Sequence, residues 1–503
     1  MPDRTAVGPR PGPLAGIRVV DMTIWMAGAV SGMLLADLGA DVVKVESPSG
    51  DPTRSHTAPT AGAAASDPVR TSVSYSACNR NKRSIALDLG DPGHRAVFDQ
   101  LIRAADVFVT NMSPSTVGKL GIDEASLRAA NPSLVYALGS GLGPVGPRAG
   151  DLAQDMTGMA YAGMLFTMSP DPGQPFAPPG AMNDVITGTY LFSGILAALF
   201  RRATTGRGET VTGSLLQTAL WTQTLLVGSA ANTVGASTSG RPRTDPRSAL
   251  VNQYQAADGR WIAVAAINAR AWDAFVAGAQ IEYLVADPRF ASHAAMLAHA
   301  GEMRAALDRH FTTQPADYWL GRLREHGVWC GPVNHIEDVI DDEQIAANGY
   351  LTTLDDGLRT VSMPFTLSGF EQPVAGGPVL DGDREAILSD WDASGAPEIT
   401  VGLPSRRAAL FAHGQAAVHR QDLAGDPGGF GGQEEGEHGG EVLGLAEPRE
   451  RGFLQQGLAD LGGRAGPDDL GEDDAGGDGV AADVLRAPGV GGVAGERVQG
   501  DLG

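Results

Sequence analysis

Lysine is nearly missing from this chain. Three lysines stand in 503 residues, Lys44, Lys82 and Lys119, all within the first 120. Acidic residues outnumber basic ones by 59 to 37, for a formal charge of −22. That balance argues against nucleic acid as a general partner and against an anionic membrane surface. An anionic ligand would need basic side chains gathered locally. Cysteine is scarce too. Cys78 and Cys330 form neither a CxxC nor a metal-type pair, which fits a reducing compartment. Long apolar runs are missing. The longest, from about Tyr190 to Phe200, falls short of the roughly 20 residues a bilayer requires. The N-terminal "MPDRTAVGPRPGPLAG" has no apolar core of the secretory kind. A soluble cytoplasmic protein is expected. The ten histidines make no HExxH and no compact ligand set, and His293 and His299 are spaced to lie on different helix faces, so no metal is expected. No GxSxG elbow or Cys–His signature appears.

An apolar fraction of 43% provides for sizeable cores, and the length provides for two or more domains. Residues 1–215 alternate strand-like and helical runs. "IRVVDMT", "DVVKVE", "SIALDL", "DVFVTN" and "SLVYALGS" read as strands. A helix over 28–40 closed by Gly39 and another from about Asp91 to Ala105 lie between them. This spacing predicts βαβ units, a parallel sheet and a ligand site beyond the carboxyl ends of the strands. Residues 216–325 read as a smaller domain, helical except for a hairpin in "NQYQAADGRWIAVAA" turning at Asp258-Gly259. Residues 326–395 return to mixed character, with Cys330 expected in a Gly/Pro turn. Residues 396–503 read as a disordered Gly/acid-rich tail. In the last 103 residues Gly supplies 26, Asp and Glu 18, Arg 8 and Lys none. Such a segment cannot bury enough surface to offset its ordering entropy. Its composition also fits translation of GC-rich DNA in an unselected frame.

The basic residues invite a phosphate reading. Arg80 and Arg83 flank Lys82 in "NRNKRS", and Arg148 lies further on. Forked guanidinium and point-charge ammonium both suit phosphate, while solvated surface charge is the plain alternative. "GLGPVG" (141–146) matches GxGxxG, but its prolines remove backbone donors and no helix opens behind it, so a tight turn is the better reading. Among the carboxylates, Asp184 follows Pro178-Pro179-Gly180 and begins a helix of about 18 residues. Its pattern reads as a helix N-cap before it reads as a reacting group, and the two roles are compatible.

Several stretches align with one known group. They are "PLAGIRVVDMT", "GMLLADLGADVVKVESPSGDPTR", "NRNKRSIALDL", "ADVFVTNMSPSTVGKLGID", "NPSLVYALGSGLGPVGP", "ITGTYLFSGILAALFRRATTGRGETVTGSLLQTAL", "DGRWIAVAA" and "GVWCGPVNHIEDVIDDEQIAANGYL". In this order, over about 14–370, the chain resembles the class III CoA-transferases. That family includes formyl-CoA transferase and carnitine CoA-transferase, with α-methylacyl-CoA racemase as a relative. The resemblance implies an α/β protein with a Rossmann-like large domain built on a parallel sheet, a smaller α+β domain, and an interlocked homodimer. It places the catalytic aspartate on Asp184, with Asp151 as a candidate supporting acid. It places coenzyme A contacts on Ile24, Trp25, Met26, Ala27, Arg80, Lys82, Arg83, Asn111, Lys119, Leu120 and Arg148. The implied substrates are an acyl-CoA and a carboxylic acid, with neither metal nor NAD. Lys44 reads instead as a strand residue supporting the sheet. Where the racemases carry Gly-His-Asp, this chain has Gly150-Asp151 without the histidine, which disfavours racemisation. A racemase or isomerase and a non-catalytic acyl-CoA-binding protein remain the alternatives.

Overall fold

The computed structural model describes residues 11–55, 72–236, 238–266 and 270–391. The expectations about the 396–503 tail fall outside the described residues.

Strand β1 (Arg18–Met22), helix α1 (Ala27–Asp37) and strand β2 (Asp41–Glu46) make the first βαβ unit. Val19 registers with Val42 and Val20 with Val43, all buried. A parallel sheet is covered on both faces, which is why these strands carry adjacent valines rather than an alternating pattern. Helix α2 (Val73–Asn79) leads to β3 (Arg83–Ala86). Helix α3 (Pro92–Ala104) starts on Asp91, whose carboxylate accepts the N–H groups of Gly93 and His94 at 2.8 and 2.9 Å. Pro92 fills the first helical position, where its missing donor costs nothing. Strand β4 (Val107–Thr110), helices α4 (Pro114–Leu120) and α5 (Glu124–Ala130), and strand β5 (Val135–Ser140) follow. Helices α6 (Asp155–Tyr161), α7 (Met164–Thr167) and α8 (Met182–Thr205) precede β6 (Thr210–Ser214).

The six strands run parallel in the order β3-β2-β1-β4-β5-β6. The winding reverses between β1 and β4, so the loops leaving these two strands diverge and open a crevice. β6, "TVTGS", is the strand the sequence pattern did not reveal, because it is short and polar. Helix α8 runs 24 residues and is long and apolar enough by composition to cross a membrane, longer than the apolar run read from the sequence. Here it packs Leu191, Phe192, Ile195 and Leu199 into the core beside α1. At Gly188 a Cβ would stand 2.5 Å from the carbonyl oxygen of Ala27 and 2.6 Å from Cβ of Val30. Only glycine allows this approach, and it sets the start of α8 against the loop after β1.

Helices α9 (Leu215–Thr222) and α10 (Thr224–Asn232) lead to a smaller antiparallel sheet of β7 (Val251–Gln255), β8 (Trp261–Ala265) and β9 (Cys330–Val333). The β7–β8 hairpin turns through Gly259 at φ +80°, as its Asp-Gly pair predicts. Its core gathers Tyr254, Phe275, Phe311 and Trp319. Cys330 opens a strand rather than lying in a turn, and this sheet therefore reaches past residue 325. "CGPV" carries turn residues, but β9 is an edge strand, where a proline is tolerated. The chain then forms a hairpin of β10 (Leu351–Thr353) and β11 (Arg359–Val361) and returns to the large sheet. There buried Trp391 donates its indole N–H to Asp41 at 2.6 Å.

Candidate functional site

A cavity of about 990 Å³ lies at the crevice, beyond the carboxyl ends of β1, β4 and β5. Ile24, Trp25, Met26 and Ala27 line it together, as does Asn111 from the loop after β4. Asn111 ties the two loops together: it accepts the Ile24 N–H at 2.9 Å and donates to the Ile24 carbonyl at 2.7 Å. Trp25 takes a left-handed φ of 60° and remains 43% exposed. An aromatic residue adopts that conformation only when its surroundings impose it, and such strain gathers at functional sites.

Asp184 lines the same cavity, half-buried, as the third residue of α8. It is not the cap. The N-cap position of α8 belongs to Ala181, whose methyl group cannot accept a hydrogen bond. The capping group comes from another helix. Oδ1 of Asp155, the first residue of α6, accepts the backbone N–H of Asp184 at 2.8 Å. Two close approaches fix this arrangement. A Cβ on Gly158 of α6 would stand 2.6 Å from Cβ of Leu215, and Asn183 donates its side-chain amide to the Leu215 carbonyl at 3.0 Å. Burial, and then the neighbouring Asp155 carboxylate, push Asp184 up to about 7. A helix N-terminus alone would pull a carboxylate the other way, so desolvation wins here. Asp155 is also raised by burial, opposed by the N–H groups of Asp184 and Asn183.

Most of the basic residues lie elsewhere. Arg80 is 1% exposed and grips Asp37, with Nη2 to Oδ2 at 2.7 Å. Lys82 donates to Asp21 at 2.7 Å, to the Ala29 carbonyl at 2.8 Å and to Asn79 at 2.8 Å, with no exposed side-chain surface. Burial pulls its ammonium down, against the Asp21 carboxylate. Arg83 bridges Asp41 and Asp390, fastening the returning segment. These three are therefore corrected from phosphate contacts to internal braces, because each charge is already neutralised by a carboxylate inside the fold. Lys44, also buried, donates to the Thr23 carbonyl at 3.0 Å and pairs with Asp51 at 3.0 Å, holding the loop after β1 as a supporting residue would. Lys119 is exposed in the last turn of α4, and Leu120 follows it. The first turn of α4 reaches the cavity through Thr116. Arg148 and Asp151 pair with each other at 2.8 Å on an exposed turn, so Asp151 does not line the cavity. The second carboxylate there is Asp155. The sequence pattern did not single it out; the one local signal is the capping box that Gln154 and Thr157 form at the start of α6.

Glu46 ends β2, where a dinucleotide-binding sheet would offer a carboxylate to a ribose. It is committed instead to Arg54, with Oε1 to Nη2 at 2.6 Å, and to Ser84 at 2.7 Å. Among the described residues no cluster of three His, Cys, Asp or Glu is placed to hold a metal.

The model of CoA-transferase family III matches residues 14–384. An acetyl-CoA:oxalate CoA-transferase of Acetobacter aceti is 31% identical over 399 residues, covering 78% of this chain and 99% of that one. A succinate–glutarate CoA-transferase of Agrobacterium fabrum is 32% identical over 395 residues, covering 76% and 96%. The crystal structure of a CAIB/BAIF family protein from Brucella suis superposes with a TM-score of 0.67 at 30% identity, over 76% of this chain and 100% of that one.

Proposed function

Because the chain belongs to CoA-transferase family III, we propose that it moves coenzyme A between an acyl-CoA and a carboxylic acid with Asp184 as the nucleophile. A carboxylate oxygen of Asp184 attacks the thioester carbon. The C–S bond breaks, leaving a mixed anhydride and CoA thiolate. The thiolate attacks the Asp184 carbonyl carbon and releases the first acid as its carboxylate, giving an aspartyl-CoA thioester. The acceptor carboxylate attacks that thioester, forming a second anhydride and freeing the thiolate again. The thiolate then takes the new acyl group and restores the Asp184 carboxylate. No proton is gained or lost through the cycle. A carboxylate serves because it is both nucleophile and leaving group.

The observation that carries this reading is the state of Asp184. Its carboxylate borders a large cavity, leaves the capping of α8 to another residue, and is made basic by burial. For coenzyme A, the reading uses the Ile24–Ala27 loop, with Trp25 as a rim indole suited to stacking on adenine, and Asn111 as its brace. Lys119, Leu120 and Arg148 stand as outer contacts. The reading includes a homodimer. Trp221, Leu225 and Val227 on α9 and α10 are 63%, 68% and 41% exposed, an apolar face that a second copy would cover. The proposed compartment is the cytoplasm, in keeping with the free thiols of Cys78 and Cys330.

Incubation with a panel of acyl-CoAs, followed by hydroxylamine and peptide mass analysis, tests the mechanism. A hydroxamate on Asp184 supports it. Full CoA exchange by Asp184→Asn overturns it. A protein that binds acyl-CoA but never yields the adduct is a binding protein instead.

A further inference from the structure

The first N–H groups of a helix have no partner within it, and they stabilise a carboxylate placed nearby. Asp184 sits in the first turn of α8 and is the natural recipient. In this fold another group takes its place: Asp155 Oδ1 accepts the Asp184 N–H at 2.8 Å. Asp155 reaches that point because α6 is pressed against Leu215 through Gly158 and because Thr157 closes its own turn, accepting the Gln154 N–H at 2.7 Å. Both carboxylates line the one cavity.

We propose that Asp155 is a positioning residue for the reacting carboxylate. It occupies the N-terminal donors of α8, denies them to Asp184, and adds like charge beside it, so the Asp184 oxygen stays unsatisfied and nucleophilic. This rests on the reading of Asp184 as the nucleophile. The division of labour has a chemical use. While Asp184 is ionised, two negative charges share a site of low polarity. When Asp184 is acylated, its charge leaves with the thiolate and the repulsion is relieved, which favours the covalent intermediate over the free carboxylate. The two carboxylates also differ in what surrounds them: the helix donors favour the charged form of Asp155, while nothing but burial and like charge acts on Asp184.

The elements packed around α8 bring few other titratable groups. Helix α1 carries Asp37, which is committed to Arg80; β5 carries Tyr136; α6 carries Asp155 and Tyr161; α8 itself carries Tyr190, Arg201 and Arg202; β6 and α9 carry none. Cys78 of α2 also stands within electrostatic reach of Asp184. After burial, the Asp155 charge is what raises Asp184.

The test is the pH dependence of Asp184 acylation, read as hydroxamate formed per second with subsaturating acyl-CoA, in the full chain and in Asp155→Asn. Asparagine keeps an acceptor oxygen for the Asp184 N–H and removes the charge. The acid limb is expected to move down by about one pH unit, with a lower plateau rate from a less basic nucleophile. Asp155→Glu is expected to restore the original limb. If Asp155→Asn does not fold, as judged by circular dichroism, Asp155→Ser provides the same reading with a smaller side chain. An acid limb that stays in place in the uncharged variant, with activity lost equally at all pH values, overturns the inference and leaves Asp155 a structural cap. Asp184→Asn separates the two levels. If it still exchanges CoA, the nucleophile reading fails. If it is silent while the Asp155→Asn limb is unmoved, only the role of Asp155 fails.

Discussion

Asn111 and Ile24 exchange two hydrogen bonds, 2.9 and 2.7 Å long, across the point where the sheet reverses its winding. A side-chain amide here copies the pairing that two strands would make. It joins the loop after β4 to the loop after β1, and so fixes one wall of the cavity to the other. Asn111→Ala leaves the Ile24 N–H and carbonyl to water or to nothing. The expected result is a loss of about 1–3 kcal/mol in urea unfolding. KM for acyl-CoA should rise roughly tenfold while kcat changes less, because the loop binds and does not react.

Asp184 sets the pH range of the reaction. With its carboxyl at about 7, the attacking form is the minority below that value. The rate of adduct formation in the unaltered protein should rise about tenfold per pH unit below 7 and level above it. A stopped-flow or quenched-flow profile between about pH 5 and pH 9 checks this. A limb near the ordinary aspartate value would contradict the burial of the group.

The same group has a stability signature. The unfolded chain releases this proton near 3.8 and the folded protein near 7. Between these values the folded state binds more protons than the unfolded state, so its stability falls as pH rises through that window. Asp184→Asn removes the penalty. Its melting temperature should exceed that of the parent by roughly 2 °C at pH 8 and match it at pH 4. A simple cap would give no such crossing.

Lys82 and Asp21 form a pair with no exposed side-chain surface. Lys82→Met takes the ion-pair partner from buried Asp21 and leaves it the hydrogen bonds of Thr23, and the expected cost is about 3–5 kcal/mol. Adding Asp21→Asn should recover much of that loss. Lys119→Ala, by contrast, should leave the urea midpoint unchanged. Equal effects from Lys82 and Lys119 on ligand affinity, with no stability change, would return Lys82 to the phosphate site.

Gly188 is the contact on which α8 meets the first loop. Gly188→Val drives branched carbon into Ala27 and Val30. Overpacking of this kind costs about 1–3 kcal/mol. It also moves Asp184 away from the Ile24–Ala27 loop, so kcat should fall along with stability. Calorimetry and a single-turnover assay report the two losses separately.

The parallel sheet was legible in the sequence because its strands are buried on both faces. "RVVDM", "DVVKVE", "DVFVT" and "LVYALGS" are each built on two or more adjacent apolar residues rather than on alternation, and Gly39 and Asp91 mark helix ends by their own chemistry. β6 was not legible, since "TVTGS" owes its place to pairing with β5 rather than to its own pattern. Cys330 was misplaced for a related reason: Gly and Pro suit an edge strand as well as a turn, and only the partner strand decides. The basic residues were visible, but their roles were not. A charge in a sequence carries no sign of whether a carboxylate waits for it, and Asp37 lies 43 residues before Arg80.

By itself the sequence determined the class of fold, the crevice at the strand ends and the carboxylate at the mouth of one apolar helix. These follow from local patterns of burial, turns and caps. The tertiary structure alone decided that Asp184 is not the cap of that helix, that Asp155 is, and that Arg80, Lys82 and Arg83 face inward. Each of those outcomes depends on a partner distant along the chain. Hydrogen bonds and ion pairs act over a few ångströms of space, whatever the number of residues between them.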